Sequence, residues 1–194
     1  MDRLPLSRWR LLAGVLATAL LIGVYARGGA AWSLGAVMLV PWLLALDATR
    51  TRAGTLASAL LMCAAMVAAT FYWFGAAIGG FTGMGAVPGV AVLLVLAPVM
   101  QPQVLAFALV RHLAGRRHGA VMRALAGASA WVACEWALPK LLGDTLGHGL
   151  FPSALMRQAA DLGGAAGLTF LLILVNEGIA QAVARRRRGV RATL

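Results

Sequence analysis

Apolar residues in this chain come in long unbroken runs, set apart by short stretches that carry arginine, glycine or proline. No charged residue stands between Arg52 and Arg111, room for two bilayer crossings of about 20 residues each and a connection. The apolar-polar alternation of a membrane barrel is absent, and backbone groups in lipid must bond within their own segment. The runs therefore predict helices, six in number, at about 11–26, 30–47, 54–74, 88–110, 120–138 and 162–184. No polar stretch between them is longer than a loop and no repeat is evident, so residues 1–194 read as one multi-pass, all-α membrane domain.

Composition supports that class: with 61% hydrophobic and 12% charged residues and a mean hydropathy of +0.85, the chain cannot cover itself with a polar surface. A net charge of +11 raises nucleic acid as a partner, but the arginines sit in short clusters between apolar runs rather than along one face. Topology explains them better. With the N-terminus in the cytoplasm, Arg3, Arg8, Arg10, Arg50, Arg52, Arg111, Arg116, Arg117, Arg123, Arg185, Arg186, Arg187, Arg188 and Arg191 fall inside, and Arg27, Lys140 and Arg157 outside. That bias predicts an even number of crossings with both termini cytoplasmic. The first run, ahead of Gly29-Ala30-Ala31, also fits a cleaved secretory leader.

Cys63 and Cys134 both fall within predicted crossings, and His112, His118 and His148 stand at no metal-binding interval. No metal or cofactor is expected. Pro41 in "MLVPWLLALD" predicts a kink in the second helix, and Pro98 and Pro102 in "APVMQPQ" one in the fourth, with Gln101 and Gln103 at hand for freed carbonyls. Tyr72 and Trp73 mark the outer end of the third helix. After them, "GAAIGGFTGMGAVPG" is a bare, uncharged stretch: either backbone lying in the interface under something else, or small residues that let helices approach.

Glu135 follows Arg123 by twelve residues, about 18 Å along a helix, and so lies near the outer surface; it is an anchor or part of an outward-facing polar site, with Trp136 in its wall. Asp161 is placed to cap the last helix, and Gly163, Gly164 and Gly167 give that helix a bare face. Asn176 and Glu177 lie near the cytoplasmic interface, where Glu177 can reach water or an arginine.

"LVPWLLAL", "FYWFGAAIGGFTGM", "CEW" and "QAADLGGAAGLTFLLILVNEGIA" together resemble the membrane half of the apolipoprotein N-acyltransferase family, in the same order over about residues 35–182. The resemblance implies a bacterial inner-membrane protein that holds a phospholipid acyl donor and a diacylated lipoprotein, with the acyl chain passed to the lipoprotein's α-amino group. In that family a nitrilase-like domain inserted before the last helix does the chemistry with Glu, Lys and Cys. This sequence reaches Leu194 without that domain, and "EWALPKLLGDTLGHGLFPS" departs from the family's usual outer loop. Neither cysteine carries over as nucleophile, and no catalytic residue is assigned. The expectation is a phospholipid-binding module that does not turn over alone, either a relic or one part of a split enzyme whose nitrilase-like portion is another chain. Tyr72, Trp73, Phe81, Glu135 and Trp136 are expected to line its outer-leaflet lipid site, with Asp161 supporting the last helix. The alternative is a non-enzymatic transporter component or assembly scaffold, for which Gln101, Gln103, Glu135 and Glu177 would line a polar path.

Overall fold

The structure, a computed structural model, describes residues 4–138 and 143–192, with backbone only for 4–7 and 188–192. Lys140 and Arg3 lie outside the described residues. Every regular element described is helical: α1 Leu4–Tyr25, a 3-10 segment Gly29–Ala36, α2 Val40–Leu46, α3 Arg52–Phe81, α4 Ala86–Met100, α5 Pro102–Arg117, α6 Ala120–Ala137, a second 3-10 segment Leu146–Leu150, and α7 Ala154–Ala192. By length and composition, four described segments can cross a membrane, or five if the bent α4–α5 pair is one crossing. The fifth expected helix, α6, forms at its expected place but is shorter and carries Arg123 and Glu135.

Three of the expected helices are interrupted, and each interruption has a sequence cause. The second one starts as a 3-10 segment and becomes α-helical only from Val40, so Pro41 sits in the first turn of α2 rather than kinking its middle. A proline is tolerated there because its missing N–H would have had no helical partner. Side chains take over the groups left at the break: Asn176 on α7 accepts from Leu39 N–H at 2.8 Å and donates to Gly35 C=O at 2.7 Å, and Thr18 on α1 accepts from Trp42 N–H at 3.0 Å. Asn176 is fully buried and acts as a splice inside the bundle.

The fourth expected helix is two, α4 and α5, bent by 47° across Gln101. Pro98 lies inside α4 and Pro102 opens α5. The carbonyl of Gln101 accepts from the Cys63 thiol at 3.4 Å, so the Gln101 and Gln103 amides, expected to serve such carbonyls, bond instead to each other. The last helix starts at Ala154 rather than near 162, and is broken where Gly164 takes φ 63°. Ser153 Oγ accepts from Met156 N–H at its start. Asp161 therefore lies inside the helix, exposed, three residues before the break, instead of ahead of the first turn.

α3 runs seven residues past its expected end at 74, through glycines read as a loop. Those glycines form a seam with α4. A Cβ on Gly75 would stand 2.9 Å from Val90 Cα, and one on Gly79 or Gly89 would overlap the facing backbone oxygen of Gly85 or Gly75. Of the two readings left open for this stretch, close helix approach is the one that forms. The turn between α3 and α4 is made by Gly83 and Gly85 at φ 72° and 89°, which favour glycine.

At the arginine-bearing end, four side chains tie α2, α5, α6 and α7 together. Arg111 binds Glu177 through both carboxylate oxygens, the Nη2–Oε2 contact being 3.1 Å, and reaches Asp47 Oδ1 with Nη1 at 2.8 Å. Arg123 lies 3.0 Å from Asp47 and 3.7 Å from Glu177. Glu177 is 0% exposed: it finds an arginine, as expected, but one from α5, and it does not reach water. Above this cluster Phe107 packs on Trp42 and Trp131, ring centroids 5.7 Å apart in each pair.

Two outcomes are expected from unfolding measurements in micelles. Gly79→Ala lowers stability by about 1–3 kcal/mol because the seam must open, whereas the same change at Gly80, which has nothing within 4 Å, is neutral or raises it by up to about 1 kcal/mol. Arg111→Met strands a buried carboxylate and costs about 3–5 kcal/mol, and adding Glu177→Leu recovers much of that loss.

Candidate functional site

The end of the bundle remote from Arg111 holds a cavity of about 530 Å³, within the roughly 300–1,000 Å³ usual for small-molecule sites. α1 contributes Ile22 and Tyr25, α3 contributes Met66, Thr70 and Phe71, α5 contributes Gln103, and α6 contributes Glu135. Residues 144–152 close it over as a roof, presenting Asp144, Thr145, Leu146, His148, Gly149, Phe151 and Pro152. Apolar walls predominate, with a few polar groups among them.

The roof owes its position to specific bonds from two helices. Tyr25 Oη donates to Leu146 C=O at 2.6 Å, and a Cβ on Gly149 would overlap the Tyr25 ring. Thr169 Oγ1 on α7 accepts from Gly147 N–H at 2.8 Å and bonds to the Thr145 hydroxyl. Within the roof His148 Nδ1 accepts from Thr145 N–H at 3.2 Å, a capping arrangement at the start of the 3-10 turn. These bonds satisfy the backbone of a segment without a long helix of its own, and they close one side of the cavity.

Gln103 is the polar group set deepest. Its side chain is 1% exposed because the break at Gln101 starts α5 within the bundle and leaves residue 103 in its first turn, facing the cavity. Nε2 donates to Gln101 Oε1 at 2.5 Å, and Oε1 has no protein partner. An unpaired buried acceptor costs about 1–3 kcal/mol, so the cavity favours an occupant that carries a hydrogen-bond donor.

The expected site residues divide. Glu135 lies in the cavity wall, two residues from the end of α6, and also borders a smaller cavity of about 280 Å³ that Trp136 lines with Val132 and Ala166. Tyr72 and Trp73 project outward from α3, one turn beyond the cavity-lining Thr70, whose carbonyl accepts from Trp73 Nε1 at 3.0 Å. Phe81 is 95% and Trp136 89% exposed; Phe81 ends α3 and lies outside the cavity lining. Asp161 does not line it either. Sequence reasoning missed Tyr25, Thr70, Thr145 and His148; the one available signal was the small-residue spacing of "TLGHGL", where Gly147 and Gly149 admit a backbone and a ring.

Cys63 is fully buried in α3, its thiol held by the Gln101 carbonyl, and Cys134 is on α6 outside the cavity lining. The cavity can hold an amphiphile and orient its polar part, and it offers no thiol.

No curated protein and no solved structure matches the chain. The family profile for the apolipoprotein N-acyltransferase N-terminal domain matches residues 13–177, a span that includes the cavity, its roof and both ends of the Arg111–Glu177 pair, and the chain belongs to that family.

Proposed function

We propose that this chain is a lipid-holding membrane module of bacterial lipoprotein N-acylation, and that the cavity under residues 144–152 receives the junction between the acyl chains and the polar part of a phospholipid or a diacylated lipoprotein. The carrying observation is the pairing of apolar walls from Ile22, Met66 and Phe71 with the unpartnered Oε1 of Gln103. An acyl chain matches the walls, and an N–H or hydroxyl donor in the polar part of the lipid, such as a headgroup amine or the lipoprotein's α-amino group, matches the acceptor. The exposed aromatic residues Tyr72, Trp73, Phe81 and Trp136 are the interfacial rim at which such a lipid would enter, and Glu135 borders the passage from rim to cavity.

The topology that goes with this reading has six crossings in the bacterial cytoplasmic membrane and both termini in the cytoplasm, so that the cavity faces the outer leaflet. Its support is the charge distribution, with arginines at one end and the aromatic rim at the other. In this reading the cavity holds lipid and a nitrilase-like catalytic partner performs the transfer; Cys63, fully buried and held by the Gln101 carbonyl, is not placed to act at the cavity.

A photoactivatable phospholipid in vesicles is expected to label residues 66–71 and 145–152 saturably, and Thr70→Phe, which fills the cavity, to cut that labelling several-fold. Labelling confined to the outer aromatic rim and indifferent to Thr70→Phe would sink the cavity assignment. Incubated with phospholipid and a diacylated lipopeptide, the purified chain is expected to yield no triacylated product.

A further inference from the structure

A second groove lies at the opposite end of the molecule, on the outer flank of the α5–α6 hairpin beside the start of α3, with a volume of about 710 Å³. We propose that it is a binding site for one anionic phospholipid of the leaflet at the arginine-bearing end, separate from the roofed cavity and independent of the function proposed for it. Arg52, Arg116, Arg117 and His118 would hold the headgroup phosphate, while Leu113 and Met122 would carry the upper part of an acyl chain.

Charge bookkeeping at this end points to that occupant. Asp47 and Glu177 are the carboxylates described here, and both are engaged by Arg111 and Arg123. None of the ion pairs among the described residues involves Arg52, Arg116 or Arg117, so the groove gathers three guanidinium groups with no paired acid among the described residues.

Local structure adds to the positive field. Arg52 is the first residue of α3, at the positive end of its dipole. α6 starts after His118 and Gly119 with no side-chain cap, which leaves first-turn N–H groups without a helical partner at the same bend. An anion there answers both the cationic groups and the bare amides.

The groove's other wall selects between anions. Leu113 and Met122 are 44% and 50% exposed, and on a membrane helix hairpin such a flank faces hydrocarbon. A soluble phosphate would leave that wall unused; a phospholipid covers wall and charges together. Arginine near an anionic surface adds attraction that falls off within a Debye length, so a held lipid must also differ from a diffuse cloud of counter-lipids.

Native mass spectrometry of the full chain, released from micelles containing phosphatidylglycerol or phosphatidylcholine, tests this. One phosphatidylglycerol is expected to remain bound, with an affinity at least about tenfold above that for phosphatidylcholine, and Arg116→Gln/Arg117→Gln should remove about that factor. Arg185→Gln/Arg186→Gln, which removes the same charge at the same end outside the groove, should leave the lipid bound. Met122→Asp, which sets a carboxylate among the arginines and leaves every arginine in place, should displace the lipid even where the double arginine variant fails to insert. Equal loss in both double variants would reduce the site to diffuse attraction. Displacement by millimolar inorganic phosphate would make it a phosphate site, and no preference over phosphatidylcholine would remove it.

Discussion

A main-chain N–H or C=O left bare in hydrocarbon costs several kcal/mol, and this fold breaks its helices three times within the bundle. At two of the three breaks a small set of side chains meets the freed groups. Asn176 bonds to both sides of the gap between the first 3-10 segment and α2, through Leu39 N–H and Gly35 C=O. Thr18 takes Trp42 N–H, and Cys63 donates to the carbonyl at the α4–α5 bend. Each of these residues comes from a different helix than the break it serves, so the local interruptions also serve as long-range ties.

The roofed cavity exists because of these interruptions. A straight helix through Gln101 would continue α4 along its own axis; the bend redirects α5 and brings Gln103 to the cavity wall. The break at Gly164 precedes Thr169, whose hydroxyl fixes the roof at Gly147. The roof in turn is locked on its other side by Tyr25, at the end of α1. Sequence, local geometry and site are thus linked through two prolines, one glycine and three hydroxyl-bearing side chains.

Much of the architecture was legible in the chain's text, and what was not shares a physical reason. Apolar runs locate the helices, because burying them in lipid overrides other preferences, and Pro41, Pro98 and Pro102 mark the regions of interruption. Depth alone puts Glu135 near the site. The length of α3 was hidden because Gly75, Gly79 and Gly80 have poor helix propensity, while the backbone-to-backbone seam that holds them helical has no side-chain signature. The early start of α7 was hidden because "SALMRQAAD" is polar enough to pass for a loop. The partner of Glu177, sixty-six residues away on α5, depends on how helices are arranged in space, which no spacing rule conveys. The roof is irregular backbone, and its bonds to Tyr25 and Thr169 have the same invisibility.

Gln103, Phe107 and Arg111 follow one another at intervals of four on α5, on one stripe of the helix. Gln103 is in the cavity wall, Phe107 is wedged between Trp42 and Trp131, and Arg111 is clamped between two carboxylates. Beyond the cavity, then, the bundle's axis is filled by three rings in tilted and edge-on contact and behind them by a charge-neutral knot. The chamber is therefore closed at its inner end, and Gln103 stands at the boundary between the cavity and the packed core.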